Sequence, residues 1–303
     1  MKNHICEELA IFQPASRKHE NLHSWYIVNC VLNAFLTVSA IIFNSITIQA
    51  LRKTSTLPKP LKTLLLNLAV SDLGVGLLVE PFYFGLLVKW LQRDNSTDAT
   101  CTTFLFTLYL FFAASFSGVM ALSVDRFLAV HLHLRYQELV TRKRVVVAVI
   151  SVWMFSAFLS LSYLWVSRNN FYMLIAIVGV VYLVFSALFY FKIYFAVRRH
   201  RNQVQAMQVA QNDQTANAAR LRKSAVSVFY VYLVFLLCYL PKICSFVVIA
   251  ISGFSPGVKV FFSFSTTLLF LNSSLNPVIY CWKMRHIRRA VLDILRNIFR
   301  SHN

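Results

Sequence analysis

Seven apolar runs, each long enough to cross a lipid bilayer as a helix, constrain this chain more than any other feature. A helix needs about 20 mainly apolar residues to span roughly 30 Å of hydrocarbon. The chain is 58% hydrophobic and only 14% charged, whereas a soluble domain carries about 25% charged residues. We therefore predict an all-α membrane protein, a seven-transmembrane helix bundle with segments at about 25–51, 61–88, 102–131, 145–166, 171–197, 224–251 and 258–282.

Basic residues are distributed unevenly among the loops, and this predicts the orientation. Nearly all of the net charge of +19 lies in the loops after segments 1, 3 and 5 and in the tail after segment 7. By the positive-inside rule, these regions face the cytosol, so the N-terminus is extracellular and the C-terminus cytosolic. The basic excess therefore reflects topology and contact with anionic membrane lipid, and nucleic acid is not expected as a partner.

Three regions follow from this topology. Residues 1–24 are an extracellular N-terminal segment, 25–282 the transmembrane domain, and 283–303 a cytosolic eighth helix with a short tail. In the last region apolar and basic residues alternate at helical spacing, which is typical of an amphipathic helix in the membrane interface. Asn95 begins an Asn-Ser-Thr sequon in a predicted extracellular loop, so it is a candidate glycosylation site.

Polar residues at membrane depth are costly and so mark functional or packing sites. Asp72 lies in segment 2, Asp125 and Arg126 lie near the end of segment 3, and segment 7 contains the polar stretch 272–277. An adjacent acid and base screen each other where the dielectric constant falls, which explains why an Asp-Arg pair is tolerated there. The sequence has no spacing typical of a nucleophile with its base, a phosphate loop or a transition-metal site. We therefore predict neither enzymatic chemistry nor a bound cofactor.

The order and spacing of these motifs resemble the rhodopsin-like (class A) G-protein-coupled receptors. The matching residues are Asn44, Asp72 in LNLAVSD, Cys101, Asp125-Arg126-Phe127 for D-R-Y, Trp153, Tyr190, Pro241 and Asn276-Pro277-Val278-Ile279-Tyr280 for N-P-x-x-Y. The resemblance covers about residues 25–299. It implies a plasma-membrane receptor that binds an extracellular small molecule or peptide and activates heterotrimeric G proteins. There is local likeness to adenosine and melanocortin receptors, but Phe270 replaces the lysine of opsins.

The resemblance implies a coupling switch at the cytosolic end. In the family, the D-R-Y arginine is held by its neighbouring acid and moves toward tyrosines of helices 5 and 7 on activation. The residues assigned to the switch and to the loop that meets the G protein are Asp125, Arg126, Leu134, Tyr190, Asn276, Pro277 and Tyr280. Leu221 replaces the family's second acid restraint, at the foot of helix 6. An ordinary juxtamembrane salt bridge is the alternative interpretation of the Asp-Arg pair.

The resemblance also implies an allosteric sodium site. The residues at the corresponding positions are Asp72, Ser115, Asn272, Ser273 and Asn276. A hard cation with oxygen ligands would offset the cost of a lone carboxylate at the bilayer midplane. The alternative is a protonated Asp72 in a water network without sodium.

We expect a ligand pocket in the extracellular half of the bundle. Its predicted lining is Glu80, Leu108, Phe112, Tyr239, Lys242, Phe246 and Phe270. Leu108 stands where amine receptors carry an aspartate, so a biogenic amine is disfavoured, and the apolar lining favours a lipophilic small molecule. Lys242 leaves three interpretations open: a bridge to Glu80, an anchor for a ligand carboxylate, or extension to the outer surface.

Two cysteines, Cys6 and Cys101, lie on the predicted extracellular side, where disulfides are stable. Cys101 matches the family cysteine that bonds to the second extracellular loop, but that loop has no cysteine here. Pairing of Cys101 with Cys6 is one expectation, and a free thiol at Cys101 is the other.

Two other classes of protein are alternatives to a signalling receptor. A seven-helix transporter or channel would be expected to have inverted repeats or broken helices, and neither is visible in the sequence. A decoy receptor would bind its ligand without coupling, and the presence of the Asp125 and Arg126 pair argues against it.

Overall fold

The computed structural model describes residues 20–92, 98–132, 135–206, 233–253 and 255–301. Within these ranges every regular element is helical, and seven helices are long and apolar enough to cross a membrane. The predicted all-α bundle of seven transmembrane helices is therefore confirmed. The helices are α1 (Glu20–Lys53), α2 (Lys59–Gln92), α3 (Asp98–Leu132), α4 (Arg142–Ser162), α5 (Arg168–Ala206), α6 (Leu233–Ser252), α7 (Pro256–Lys283) and α8 (Arg285–Ser301).

Local sequence determines where several of these helices begin. Thr141 and Ser255 precede α4 and α7, and their side-chain oxygens accept hydrogen bonds from the backbone N–H groups of Arg144 and Val258, each at 3.4 Å. Such caps satisfy first-turn donors that have no partner within the helix. Gly253, between α6 and α7, has a φ of 68°. Glycine adopts this left-handed conformation without steric cost, so the chain can turn sharply there.

Helix α3 forms the centre of the bundle. It is 78% buried over its most apolar stretch, against 28% for α4 and for α5, and it packs against α2, α4 and α5. The outward faces of α4 and α5 carry large exposed apolar side chains such as Met154, Phe158 and Phe191. A continuous apolar exterior of this kind marks contact with lipid rather than water.

Helix α2 contains one π-helical turn, Val75–Val79. Pro81 follows it, and a proline lacks an N–H and crowds the carbonyl group four residues earlier. A wider turn at that place relieves the crowding. Beyond the turn, Glu80 and Tyr83 both face the bundle interior and are buried.

Helix α8 follows a break in the chain and lies against α1. Met284, with φ −109° and ψ 98°, ends α7. On α8 the side chains of Ile287 and Ile294 are buried, whereas those of Arg288 and Arg289 are exposed. The amphipathic character predicted for an eighth helix is present.

Candidate functional site

The acid-base pair near one end of α3 is formed and buried. Arg126 donates hydrogen bonds to the Asp125 carboxylate through Nε, at 2.9 Å, and through Nη2. The other oxygen of Asp125 accepts a hydrogen bond from Tyr136 Oη at 2.6 Å. Asp125 and Arg126 are each 4% exposed. Both carboxylate oxygens therefore have a donor, and Asp125 joins α3 to the short helical turn Tyr136–Leu139.

Tyr136 is a site residue that the motif comparison missed. Burial, followed by the charge of Asp125, raises the pKa of the Tyr136 phenol above its usual value. The phenol therefore stays protonated at neutral pH and acts as a hydrogen-bond donor. A single tyrosine in a loop carries no sequence signal that would connect it with a carboxylate on the preceding helix.

The two tyrosines assigned to the switch, Tyr190 of α5 and Tyr280 of α7, are both buried. Ser123 Oγ of α3 donates a hydrogen bond to Tyr190 Oη of α5 at 3.3 Å. Tyr280 of α7 is 2% exposed, and its hydroxyl has no hydrogen-bond partner in the described part of the chain. Leu134 and Leu221 lie outside the described residues, so their predicted roles stay predictions.

Asp72 is fully buried between α2 and α7. Ser273 Oγ donates a hydrogen bond to its Oδ1 at 3.0 Å, and Asn276 Nδ2 donates to its Oδ2 at 2.8 Å. Ser115 of α3 donates instead to Ser71, at 3.0 Å. The structure thus brings two of the four predicted neighbours into direct contact with Asp72 and places a third, Ser115, against the adjacent Ser71.

The same cluster contains oxygen atoms suited to a hard cation. The side-chain oxygens of Asn272 and Asn276 are buried and have no hydrogen-bond partner among residues that the structure describes. Ser115 and Ser273 line a cavity with room for about one water molecule. A buried carboxylate, hydroxyl groups and unpaired amide oxygens are the ligand types that such cations take. The residues present therefore fit a sodium ion.

This cavity also connects the cluster to the predicted ligand pocket. Its lining includes Leu108, Phe112, Tyr239 and Phe270, four of the seven predicted pocket residues. Phe246 packs beside it, because the centroid of the Phe112 ring lies 5.2 Å from that of Tyr239 and 6.4 Å from that of Phe246. Aromatic rings from α3 and α6 therefore form one wall of the space.

Lys242 lies in α6, one helical turn beyond Tyr239, and is only 1% exposed. Its Nζ donates a hydrogen bond to Thr266 Oγ1 of α7 at 2.7 Å. The same nitrogen is 3.1 Å from the ring centroid of Phe262 and 5.0 Å from that of Phe246. The described ion pairs do not include Lys242. The Lys242 amino group is thus held between two aromatic faces and one hydroxyl.

Glu80 is not brought to Lys242. It lies in α2 beside Thr37 of α1, whose hydroxyl donates to the Asn33 carbonyl oxygen at 2.8 Å. Neither carboxyl oxygen of Glu80 has a hydrogen-bond partner within the described ranges. The bridge between Glu80 and Lys242 is therefore not formed, and the burial of Lys242 is incompatible with extension to the surface. Of the three interpretations, an anchor for an anionic ligand group remains.

A second buried polar network joins α1, α2 and α7, and the sequence comparison did not identify it. Asn29 donates to Ser263 Oγ at 2.6 Å and accepts from Thr267 Oγ1 at 2.6 Å, while Asn33 donates to the same Thr267 oxygen at 3.0 Å. Tyr83 Oη bonds to Ser263 Oγ at 2.9 Å. Two amides four residues apart in an apolar helix share one face, so this signal was available in the sequence.

The cysteines divide clearly. Cys101, in the first turn of α3, is disulfide-bonded. The free cysteines of the described ranges are Cys30, Cys238, Cys244 and Cys281. A free thiol at Cys101 is thus not found. Cys6 and the sequon residue Asn95 lie outside the described residues, so the pairing of Cys101 with Cys6 and glycosylation at Asn95 stay predictions.

Comparison with known proteins agrees with these features. The family model for the 7 transmembrane receptor (rhodopsin family) matches residues 43–173 and 161–280. The histamine H2 receptor of Cavia porcellus is 27% identical over 263 residues, which cover 79% of this chain and 71% of that protein. The adenosine receptor A3 of Ovis aries is 24% identical over 299 residues, which cover 90% and 91% of the two chains. The similarity therefore extends over most of the helical bundle.

Proposed function

Because the chain belongs to the 7 transmembrane receptor (rhodopsin) family and is a G-protein-coupled receptor of the plasma membrane, we propose that the buried pair of Asp125 and Arg126 is its activation switch. Binding of an extracellular ligand would release Arg126 from Asp125, and the freed guanidinium would form part of the surface that binds a heterotrimeric G protein. The proposal rests on one observation: Arg126 and Tyr136 both donate hydrogen bonds to the Asp125 carboxylate.

The Tyr280 hydroxyl, which has no hydrogen-bond partner among the described residues, supports this direction of movement for Arg126. A buried acceptor without a donor raises the free energy of the state in which it occurs. Arg126 has five N–H donors, so its movement toward α7 would satisfy the Tyr280 oxygen while breaking the bonds to Asp125. Two arrangements with different bonding of one arginine are what a two-state switch requires.

We further propose that the end of the bundle with Asp125 faces the cytosol. Helices α3 and α7 run in the same direction, so α8 lies at that end. Its exposed basic side chains are Arg285, Arg288, Arg289 and Arg296. Such a cluster beside a membrane favours contact with the anionic lipids of the inner leaflet, and the N-terminus is then extracellular.

For the cluster around Asp72, we propose an allosteric sodium ion. When bound, sodium would supply a positive charge to the Asp72 carboxylate, and the unpaired side-chain oxygens of Asn272 and Asn276 would be available as further ligands. A cation there favours the state in which α2, α3 and α7 are held together, which is the inactive one.

For the ligand, we propose a lipophilic small molecule rather than histamine or adenosine, the ligands in the relatives' names. Leu108 lines the cavity, and none of its lining residues in the described part of the chain is acidic, so an ammonium group would have no counter-charge directly beside it. The positions that adenosine receptors use for the nucleoside hold apolar residues here, among them Leu269 and Phe270. An apolar, aromatic lining favours a ligand with a large apolar body.

The test is a panel of G-protein biosensors in cells that express the wild-type receptor or Arg126→Ala at equal surface density, without ligand and during a ligand screen. We expect the wild type to activate at least one G-protein subtype and Arg126→Ala to lose that signal. Arg144→Ala is the matched control, because Arg144 is exposed and, among the described residues, its guanidinium donates a hydrogen bond to the Leu139 carbonyl, at 2.7 Å, rather than to an acid. Ligand binding without signal in any subtype would identify a decoy receptor, and equal signals from wild type and Arg126→Ala would refute the switch.

A further inference from the structure

Lys242 is a buried basic residue whose described surroundings would not balance the charge of its protonated form. An ammonium group has three N–H donors, and Thr266 Oγ1 accepts one of them. The ring faces of Phe262 and Phe246 attract the cation, but a ring offers no lone pair to the other two N–H groups. Burial of an uncompensated charge is strongly disfavoured, so the protonated form of Lys242 requires an anionic partner at this depth.

The depth of Lys242 excludes contact with water at the membrane surface. It lies ten residues before Ser252, the last residue of the α6 span, which corresponds to about 15 Å along the helix axis. A lysine side chain is less than half that length. The ammonium group is therefore directed across the bundle to α7, where Thr266 also donates its hydroxyl to the Phe262 carbonyl at 2.8 Å. This second bond fixes the hydroxyl so that its lone pairs face Lys242.

The position of Lys242 relative to the central cavity fits a ligand that enters from the proposed extracellular side. Tyr239 lines the cavity and precedes Lys242 by one helical turn of α6. Leu269 and Phe270 line it from α7 and follow Thr266 by one turn. The contact of Lys242 with Thr266 thus lies directly beyond the cavity, toward the α6–α7 turn.

The other described charges at this end do not favour a cationic ligand at Lys242. Lys89 of α2 and Lys259 of α7 are half-buried and have the same sign. Glu80 is the buried acid in that half of the bundle, and it faces Thr37 of α1 rather than Lys242. A surplus of positive charge in a low-dielectric site attracts anions.

We propose that Lys242, positioned by Thr266, binds the oxyanion head of the receptor's ligand, a carboxylate, sulfate or phosphate group. The apolar body of the ligand lies against Leu108, Phe112 and Phe270, in a cavity that must widen on binding from its present size of about one water molecule. The inference rests on the receptor function proposed above and adds the chemical class of the ligand. The bond between an ammonium and an oxyanion is charge-assisted, which makes it shorter and stronger than the bond to a hydroxyl.

The probes for the test are phenylalkyl carboxylates of increasing chain length, each paired with its methyl ester, which has the same body and no charge. The full-length receptor is purified in detergent, and the thermal unfolding midpoint is measured against probe concentration. A ligand that binds only the folded protein raises this midpoint. We expect saturable stabilisation by one or more carboxylates and none by the matched ester. Phenylalkyl sulfates and phosphates, run in parallel, determine which head is preferred.

Three variants locate the effect. We expect Lys242→Gln to weaken the apparent affinity for the carboxylate roughly a hundredfold, as removal of one partner of a buried charge pair does. Lys242→Arg keeps the charge and retains part of the affinity. Lys259→Gln, which removes a charge at the same end, leaves it within about threefold. If Lys242→Gln does not fold, Thr266→Val takes its place, with an expected loss of about tenfold because the ammonium is no longer positioned.

A purely structural role for Lys242 gives a different result. In that case Lys242→Met lowers the unfolding midpoint of the ligand-free receptor and carboxylates stabilise Lys242→Gln as well as the wild type. Equal stabilisation by acid and ester, or no stabilisation by any of the three heads, also overturns the proposal. The thermal-unfolding readout does not depend on a G protein. A negative result here therefore does not refute the switch tested with Arg126→Ala, and failure of the switch does not refute anion binding at Lys242.

Discussion

Replacement of Tyr136 by phenylalanine removes one hydrogen bond from the inactive arrangement of the switch and leaves the aromatic ring in place. The bond joins Tyr136 Oη to Asp125 Oδ1 at 2.6 Å. A hydrogen bond to a charged group contributes about 1.5–3 kcal/mol, and because Tyr136 is only half-buried we take the lower value, about 1.5 kcal/mol. If the active arrangement lacks this bond, its population relative to the inactive one rises about tenfold.

The measurement is ligand-free G-protein activation at matched surface density, with a biosensor for the subtype to which the wild type couples. We expect Tyr136→Phe to raise this basal signal, up to tenfold when the wild-type signal is small. The double variant Tyr136→Phe with Arg126→Ala should be silent, because the signal passes through Arg126. Because burial raises the pKa of the Tyr136 phenol above its ordinary value, the phenol keeps its proton throughout the neutral range. The contribution of this bond should therefore stay constant between about pH 6.5 and 8.5.

A double-mutant cycle with Asp125→Asn distinguishes this explanation from a general loosening of the loop. If Tyr136 acts through Asp125, the two substitutions together raise the basal signal by less than the product of their separate effects. A basal signal for Tyr136→Phe within twofold of the wild type, or two effects that simply multiply, would refute the reasoning.

Three further predictions concern the fold and the buried polar clusters. Gly74→Ala should destabilise the receptor by about 1–3 kcal/mol, because the new methyl group would overlap the ring of Phe111, whereas Gly85→Ala meets nothing within 4 Å; equal unfolding midpoints for the two variants would contradict this. Thr267→Val removes one hydrogen bond from each of two amides of α1, Asn29 and Asn33, and should cost about 1 kcal/mol, so an unchanged midpoint would show that water replaces the hydroxyl. In sodium the wild type should have lower basal signalling than in N-methyl-D-glucamine, and Asp72→Asn should abolish the difference; equal wild-type signals in the two cations would count against the sodium site.

The parts of the molecule that could be predicted are those that depend on residues close together in the sequence or on recognised family motifs. The seven spans follow from runs of apolar residues, and the pair of Asp125 and Arg126 consists of neighbours in the chain. The bonds of Asp72 to Ser273 and Asn276 agree with positions that the family resemblance assigned to one cluster. In each case the relevant residues are adjacent or occupy recognised motif positions.

The parts that could not be predicted depend on how helices rotate against each other. Three interpretations of Lys242 were open because its sequence neighbours do not say whether it faces Glu80, the surface or α7. The structure places it against Thr266 and Phe262 of α7. Thr266 follows Lys242 by 24 residues in the chain, so their contact cannot be read from a local pattern. Tyr136 could not be assigned for the same reason, since its bond to Asp125 depends on the path of a loop.

The π-helical turn of α2 would allow the ligand-binding end of the receptor to change during evolution without a change at the coupling end. In an α-helix each residue advances the side chains by about 100° around the axis. Loss of one residue from Val75–Val79 would restore regular α-helix and swing Glu80 and Tyr83 away from the interior by about that angle. Asp72, which precedes the turn, would keep its bonds to α7. A single-codon deletion or insertion at this point could thus exchange the set of side chains offered to ligands while leaving the coupling machinery intact.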